Sequence, residues 1–261
     1  MPEHKYKWNL GTCFFGGAAI FLGISGLAWR DFATNWQRVE PTVPHRALLA
    51  CIAAGCEIAG GVAIVWRPTA RAGAALLTLL YGIFVLLWVV QVCKAPLVYD
   101  SWGNVFEELS LVLAALVVFA AASPRGSMAA RSEAVTSRLY GFCCISYALA
   151  HFIYLGGATG FVPSWIPPSQ KFWAVTTAVC FVLAAAAILS GVKAALAARL
   201  LTAEILGFEL LIWGPKLIAA PHNHFVWAGN GINLALMGAA WVMADSFSRQ
   251  ARVKREASDV A

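Results

Sequence analysis

The feature that most constrains this chain is a motif that comes back. Trp102-Gly103-Asn104 in the first half returns as Trp227-Ala228-Gly229-Asn230 in the second, each copy following a proline-bearing loop and opening a long apolar run. Other landmarks return at nearly the same distance. Pro44 and Cys56 match Pro168 and Cys180 at a separation of 124, while Trp88 and Pro96 match Trp213 and Pro221 at 125. Drift of one residue at a time is what single loop insertions produce. The chain reads as one structural unit written twice.

That unit belongs in a bilayer. Of the 261 residues, 60% are hydrophobic and only 12% charged, against about 25% charged in soluble domains. The mean hydropathy is +0.71. The net charge of +6 does not signal nucleic acid, because the basic residues sit in short loops between apolar runs and in the tail. The first apolar run has no convincing cleavage site, so no removable leader is expected. The seven cysteines lie within or beside apolar runs without Cys-x-x-Cys or zinc spacing. They read as small buried hydrophobes, with a redox role for Cys143-Cys144 as the alternative.

A span takes roughly 20 apolar residues. Eight are expected, near 10–28, 46–66, 72–93, 103–122, 139–157, 171–191, 195–217 and 226–246. The fold class is thus an all-α integral membrane protein, two parallel-oriented four-helix repeats. Residues 1–122 form the first repeat, 123–138 a cytoplasmic linker, 139–246 the second repeat, and 247–261 a basic cytoplasmic tail. An even number of spans per unit excludes an inverted-repeat transporter plan. Thirteen of the nineteen Lys and Arg residues, including Lys5, Lys7 and Arg125, fall on the face that carries both termini. The positive-inside rule places that face in the cytoplasm. Eight of eleven tryptophans gather at the other face with most of the prolines. An aromatic belt explains many of them, and outer loops stiffened by proline and folded over the bundle, as a lid or docking surface, explain the asymmetry.

An ionisable group at membrane depth costs roughly 2.5–3.5 kcal/mol on insertion scales, so each needs a reason. The candidates are Glu57, Glu107, Glu108, His151, Glu204, Glu209 and Lys216. Glu209 and Lys216, seven apart, share a helix face with Trp213 between them. His151 and Tyr154, at i and i+3, share another. Together they read as an outer-half polar cavity in the second repeat, or as interhelical hydrogen bonds. Glu107 and Glu108 fall in the first turn of a span, where the helix dipole favours carboxylates, and read as structural. Their counterparts in the second copy are Asn233 and Leu234. His222-Asn223-His224 is an incomplete metal set on a solvated loop, and no metal site is expected.

The second half carries a wider pattern: His151-Phe152-Ile153-Tyr154, then Pro163-Ser164-Trp165-Ile166-Pro167-Pro168, then Phe172-Trp173-Ala174. With the Trp-x-Gly-Asn opening of the last span, it resembles the DoxX-like family of four-span membrane proteins. The first half matches more loosely, at Asn35-Trp36-Gln37 and Pro41-Thr42-Val43-Pro44-His45. Some members of that family are membrane subunits of thiosulfate:quinone oxidoreductase, and others are linked to thiol and oxidative-stress systems. The resemblance implies no set of catalytic residues. Fusion of two units departs from the single-unit pattern and would replace a homodimer by a covalent pseudo-dimer.

The expected function is a membrane component of a redox system. It engages a quinone or a small sulfur or thiol compound, with quinone as cofactor and a partner subunit supplying electrons. His151 and Glu209 are the expected proton-handling residues. Tyr154, Trp165, Trp173, Trp213, Lys216 and Asn230 are the expected ligand-binding set. The alternatives are a binding or transport protein for a lipid-like molecule, cofactor-free acid–base isomerisation or cyclisation with a membrane glutamate as acid, and a scaffold for a periplasmic partner. Membrane lipids are the surroundings, and the assembly is a monomer or a homodimer of pseudo-dimers.

Overall fold

The computed structural model describes residues 9–124 and 126–258, and all their regular structure is helical. Lys5, Lys7 and Arg125, used above for orientation, lie outside the described residues, as do residues 259–261 of the tail. Helices arise because backbone in hydrocarbon can satisfy its N–H and C=O groups only within the segment. The first half comprises α1 (Leu10–Trp29), α2 (Arg46–Val65), α3 (Ala70–Lys94) and α4 (Tyr99–Ala121). The second comprises α5 (Met128–Ile153), α6 (Leu155–Phe161), α7 (Gln170–Ser190), α8 (Ala194–Phe208), α9 (Gly214–Ala219) and α10 (His224–Ser258).

Among the described residues, 6 helices (α1, α2, α3, α4, α7 and α10) are long and apolar enough to cross a membrane. The α5–α6 pair makes a seventh if its 92° bend lies within one span. Helix α8 is too short by itself, but its backbone stays right-handed helical through a π turn, Glu209–Trp213, into α9. Large apolar side chains point outward along these rods, among them Leu79, Leu86, Leu183 and Leu200, each more than 60% exposed. Such a surface suits lipid rather than water. The molecule has the make-up of an α-helical, multi-pass membrane protein.

The helices pack in a closed circuit. Each of α1, α2, α3 and α4 lies on the next, then α4 on α5, α5 on α7, α7 on α8, α8 on α10, and α10 back on α1. Across the middle, α4 touches α10. Close approach in α1–α2 depends on glycine: a Cβ on Gly16 would stand 2.7 Å from the Gly61 carbonyl oxygen. Small residues are the usual means of bringing helices together where lipid removes the hydrophobic drive.

The returning motif has a local structural role. The Trp102 indole donates to the Pro96 carbonyl at 3.0 Å, and Trp227 does the same to Pro221 at 2.8 Å. Trp173 repeats the contact with Pro167 at 2.9 Å. Each indole ties the start of its helix to the loop before it. Asn104 and Asn230 then donate to carbonyls one turn back, Asp100 at 2.9 Å and Val226 at 2.7 Å.

Four details depart from the sequence reading. Helix α4 starts at Tyr99 with Asp100 as its first-turn acid, so Glu107 and Glu108 lie further along the helix than the dipole at its start reaches. Helix α5 begins at Met128, its free end capped by the Ser127 hydroxyl accepting from Ala130 N–H at 3.1 Å, so only the start of 123–138 is loop. The tail continues as helix to Ser258. Glu133 of α5 holds α10 there, accepting from the Ser246 hydroxyl at 2.6 Å and the Arg249 guanidinium at 2.7 Å. Finally, α5 stops at Ile153, and Tyr154 leaves helical geometry at φ −106°, ψ 39°. Gly156 and Gly157 follow it, and glycine holds a helix poorly. His151 and Tyr154 therefore do not share one helix face.

Candidate functional site

The loop between α1 and α2 turns inward. Phe32, Ala33 and Gln37 are buried, and the loop is pinned by Arg46 paired with Asp31 and by the Trp88 indole donating to the Trp36 carbonyl. This brings Trp36 between the halves, onto one wall of a small, half-open cavity of about 170 Å³. Glu107 of α4, Tyr147 and His151 of α5, Phe181 of α7, Phe208 of α8, Trp213 of the π turn and Asn233 of α10 complete it. A carboxyl, an imidazole, a phenol, a carboxamide and two indoles thus surround one small apolar space.

His151 and Asn233 are held from behind, whereas the Tyr147 hydroxyl is buried with no hydrogen-bond partner among the described residues. The Trp36 indole and the Glu107 carboxyl face the same cavity, one from the α1–α2 loop and the other from α4. His151 Nδ1 lies 2.9 Å from the Tyr147 carbonyl, which can only accept. The proton is therefore assigned to Nδ1, and Nε2 keeps its lone pair. The imidazole sits between aromatic rings, 5.1 Å from Phe181 and 6.2 Å from Phe208. Asn233 spends both amide protons, on the Ile205 carbonyl at 3.3 Å and on Glu209 Oε2 at 2.8 Å.

The π turn has a cause in the sequence. Pro215 has no N–H, and its ring would strike the carbonyl four residues earlier in a regular helix. The chain widens instead, and the Gly214 N–H bonds the Glu209 carbonyl. Asn230 donates to the Trp213 carbonyl at 3.1 Å, fastening the turn to α10. Gly229 lets the Trp213 ring lie flush on α10, since a Cβ there would overlap it.

The expected site residues separate accordingly. His151 and Trp213 line the cavity, and Glu209 joins it through Asn233. Glu209 and Lys216 do not form one stripe, because the π turn changes the helix phase between them. The Lys216 ammonium instead lies 3.8 Å from the Phe161 ring centroid and 5.2 Å from that of Trp213. Asn230 is buried in its two backbone contacts. Tyr154 lies away at the loop end, where its hydroxyl accepts from the Asp100 N–H at 3.0 Å. Trp165 is 72% exposed, and Trp173 lines a separate groove described below. Trp36, Glu107, Tyr147 and Asn233 were not expected at the site. The departure of Glu107 and Asn233 from the two-fold pattern was the available sign.

Two other polar features sit at membrane depth. In the first half, Glu57 and Glu108 are buried within electrostatic reach of Tyr81 and of each other. Glu57 accepts from the Gln37 amide at 2.6 Å, whereas both Glu108 carboxyl oxygens have no hydrogen-bond partner. In the second half, an apolar groove of about 660 Å³ runs between α7 and α8, with Trp173, Thr177, Cys180 and Glu204 along it. Among the described residues no group of three or more His, Cys, Asp or Glu is placed to hold a metal ion. The chain matches no protein-family description, no curated protein and no solved structure.

Proposed function

We propose that this chain is an eight-span membrane protein of two like-oriented repeats that binds a small membrane-soluble ligand between its halves. His151 and Glu107 exchange protons with that ligand. The observation that carries the reading is that both line one small cavity, alongside Trp36 and Trp213. The repeat reading is supported by the matched circuit of helix contacts and by the paired Trp–Pro bonds in each half. In this plan α4 and α10 meet at the pseudo-two-fold axis, and α8 with the π turn and α9 makes the seventh span. The basic residues of the loops and tail support a cytoplasmic location for both termini.

A quinone head suits the cavity. Its carbonyls accept hydrogen bonds, its ring stacks on indole, and its reduction consumes two protons for two electrons. The electrons would come from a partner subunit, making the chain a membrane component of a redox system. A second reading is cofactor-free acid–base catalysis, favoured by the His151 tautomer: a base at Nε2 and a carboxyl at Glu107 on one cavity wall set.

The test is equilibrium binding of a decyl-substituted benzoquinone to protein in lipid nanodiscs, read by quenching of tryptophan fluorescence. Saturable quenching is expected. Losing a buried hydrogen bond to the head costs about 1–3 kcal/mol, roughly five- to a hundred-fold in affinity, so His151→Phe should weaken binding by that factor. Quenching that never saturates, or that ignores this substitution, overturns the quinone reading. For orientation, a carboxy-terminal alkaline phosphatase fusion should be inactive in a bacterial host, and an active one overturns it.

A further inference from the structure

The cavity is too small to hold a lipid. At about 170 Å³ it falls below the roughly 300 Å³ at which ordinary ligand pockets begin. It accommodates a compact head and leaves any chain outside. Beside it lies a space of the opposite character, the groove of about 660 Å³ between α7 and α8.

The two spaces share a wall. Phe208 lines both the cavity and the groove, and its ring packs on Phe181, with centroids 6.3 Å apart. On the groove side the lining is mostly apolar, Ala184, Ala197 and Leu201 among it, with Thr176 and Thr177 as hydroxyls and Lys193 and Glu204 as the charged residues. The α2–α3 pair is built otherwise. There a Cβ on Gly73 would be 2.7 Å from the Ala63 carbonyl carbon, which leaves no gap for a chain. Phe208 is the last residue of α8, with a partly buried ring. Gly207 precedes it with nothing within 4 Å of the place a Cβ would take, and the π turn starts at Glu209.

We propose that the ligand is an amphiphile with a compact, uncharged, hydrogen-bonding head and a long apolar chain. It reaches the cavity sideways from the membrane along the α7–α8 groove, with Phe208 as the gate. The head rests among Trp36, Glu107 and His151 while the chain stays in the groove. The uncharged head follows from the cavity walls, which carry the Glu107 carboxyl and, among the described residues, no Lys or Arg to pair an anion, while Lys193 and Glu204 in the groove are of opposite sign. This rests on the cavity being the ligand site.

The experiment is photo-crosslinking in lipid nanodiscs with a benzoquinone whose decyl chain ends in a diazirine, competed by excess methyl-substituted benzoquinone. Competable label is expected on α7 between Thr176 and Ala187 and on α8 between Leu196 and Gly207. The exposed-site substitution Ala203→Trp should abolish that label by filling the groove. In stopped-flow quenching, Phe208→Ala should raise the association rate several-fold. Competable label confined to other helices, with Ala203→Trp silent, overturns the groove and leaves the cavity reading standing. An association rate indifferent to Phe208→Ala overturns the gate. Absence of any competable label overturns the cavity reading, and the groove with it.

Discussion

The Asn233 amide of α10 donates to the Glu209 carboxylate at 2.8 Å, joining the last helix to the first residue of the π turn. The contact holds a carboxylate at membrane depth and sets the cavity wall between two elements. Removing it while keeping the carboxylate strands a partly buried acceptor, which costs about 1–3 kcal/mol. Asn233→Leu should therefore lower the Tm in detergent or nanodiscs by several degrees. Asn233→Leu combined with Glu209→Leu should recover most of the loss. Equal loss in the single and double variants would mean that the bond contributes little.

Gly229 and Trp213 share one space. Ala at 229 would push its Cβ into the indole, and overpacking of this kind costs about 1–3 kcal/mol. Gly229→Ala should destabilise the protein and shift tryptophan emission as the ring moves. Combined with Trp213→Leu, it should cost less than the sum of the two substitutions, which a double-mutant cycle of thermal melts measures directly.

Pro215 is the cause assigned to the π turn, so Pro215→Ala should let α8 and α9 join as a regular helix. Restoring the missing N–H should raise the Tm. The change of phase should also turn Trp213 away from the cavity and weaken quinone binding. Opposite movement of stability and affinity is the usual result of relaxing a strained functional segment. A variant with unchanged affinity would show that the π turn is not needed to form the site.

Glu107 and Glu108 are neighbours in sequence with separate surroundings. Glu107 lines the cavity, while Glu108 is 1% exposed with both carboxyl oxygens unpartnered. Glu107→Gln should weaken ligand binding with little change in Tm, because the amide matches the carboxyl in size and shape. Glu108→Gln should leave binding nearly unchanged, and Glu108→Leu should be tolerated or stabilising, since it removes a buried polar group with no bond to lose. Ligand titrations and melts on the three variants separate the two roles. A loss of binding in Glu108→Gln equal to that in Glu107→Gln would contradict the assignment.

Helix existence was legible locally. The first run, expected at 10–28, is Leu10–Trp29, and the sixth, expected at 171–191, is Gln170–Ser190. Hydrocarbon leaves an apolar segment no alternative to satisfying its own backbone, so composition along about 20 residues suffices. The Trp–Pro ties were not read from the sequence, where the tryptophans stood as a membrane-interface belt, although the partners lie only six residues apart. The break after Ile153 and the π turn before Pro215 were marked by Gly156-Gly157 and by the proline. What those marks did to the direction of His151, Tyr154 and Lys216 was not.

The site lay beyond the sequence for a physical reason. These helices are apolar on nearly every side, so no polar stripe records which side of each rod faces inward. Which residues meet was decided by helix rotation and by a loop that folds back to insert Trp36. His151 was expected from its depth, whereas Glu107 and Asn233 could be assigned only once α4 and α10 were seen to touch. The sequence by itself determined a membrane chain of long apolar helices, because an apolar run in hydrocarbon must satisfy its own backbone. Only the packing of seven separate elements around one small cavity decided which of its scattered polar groups face that space.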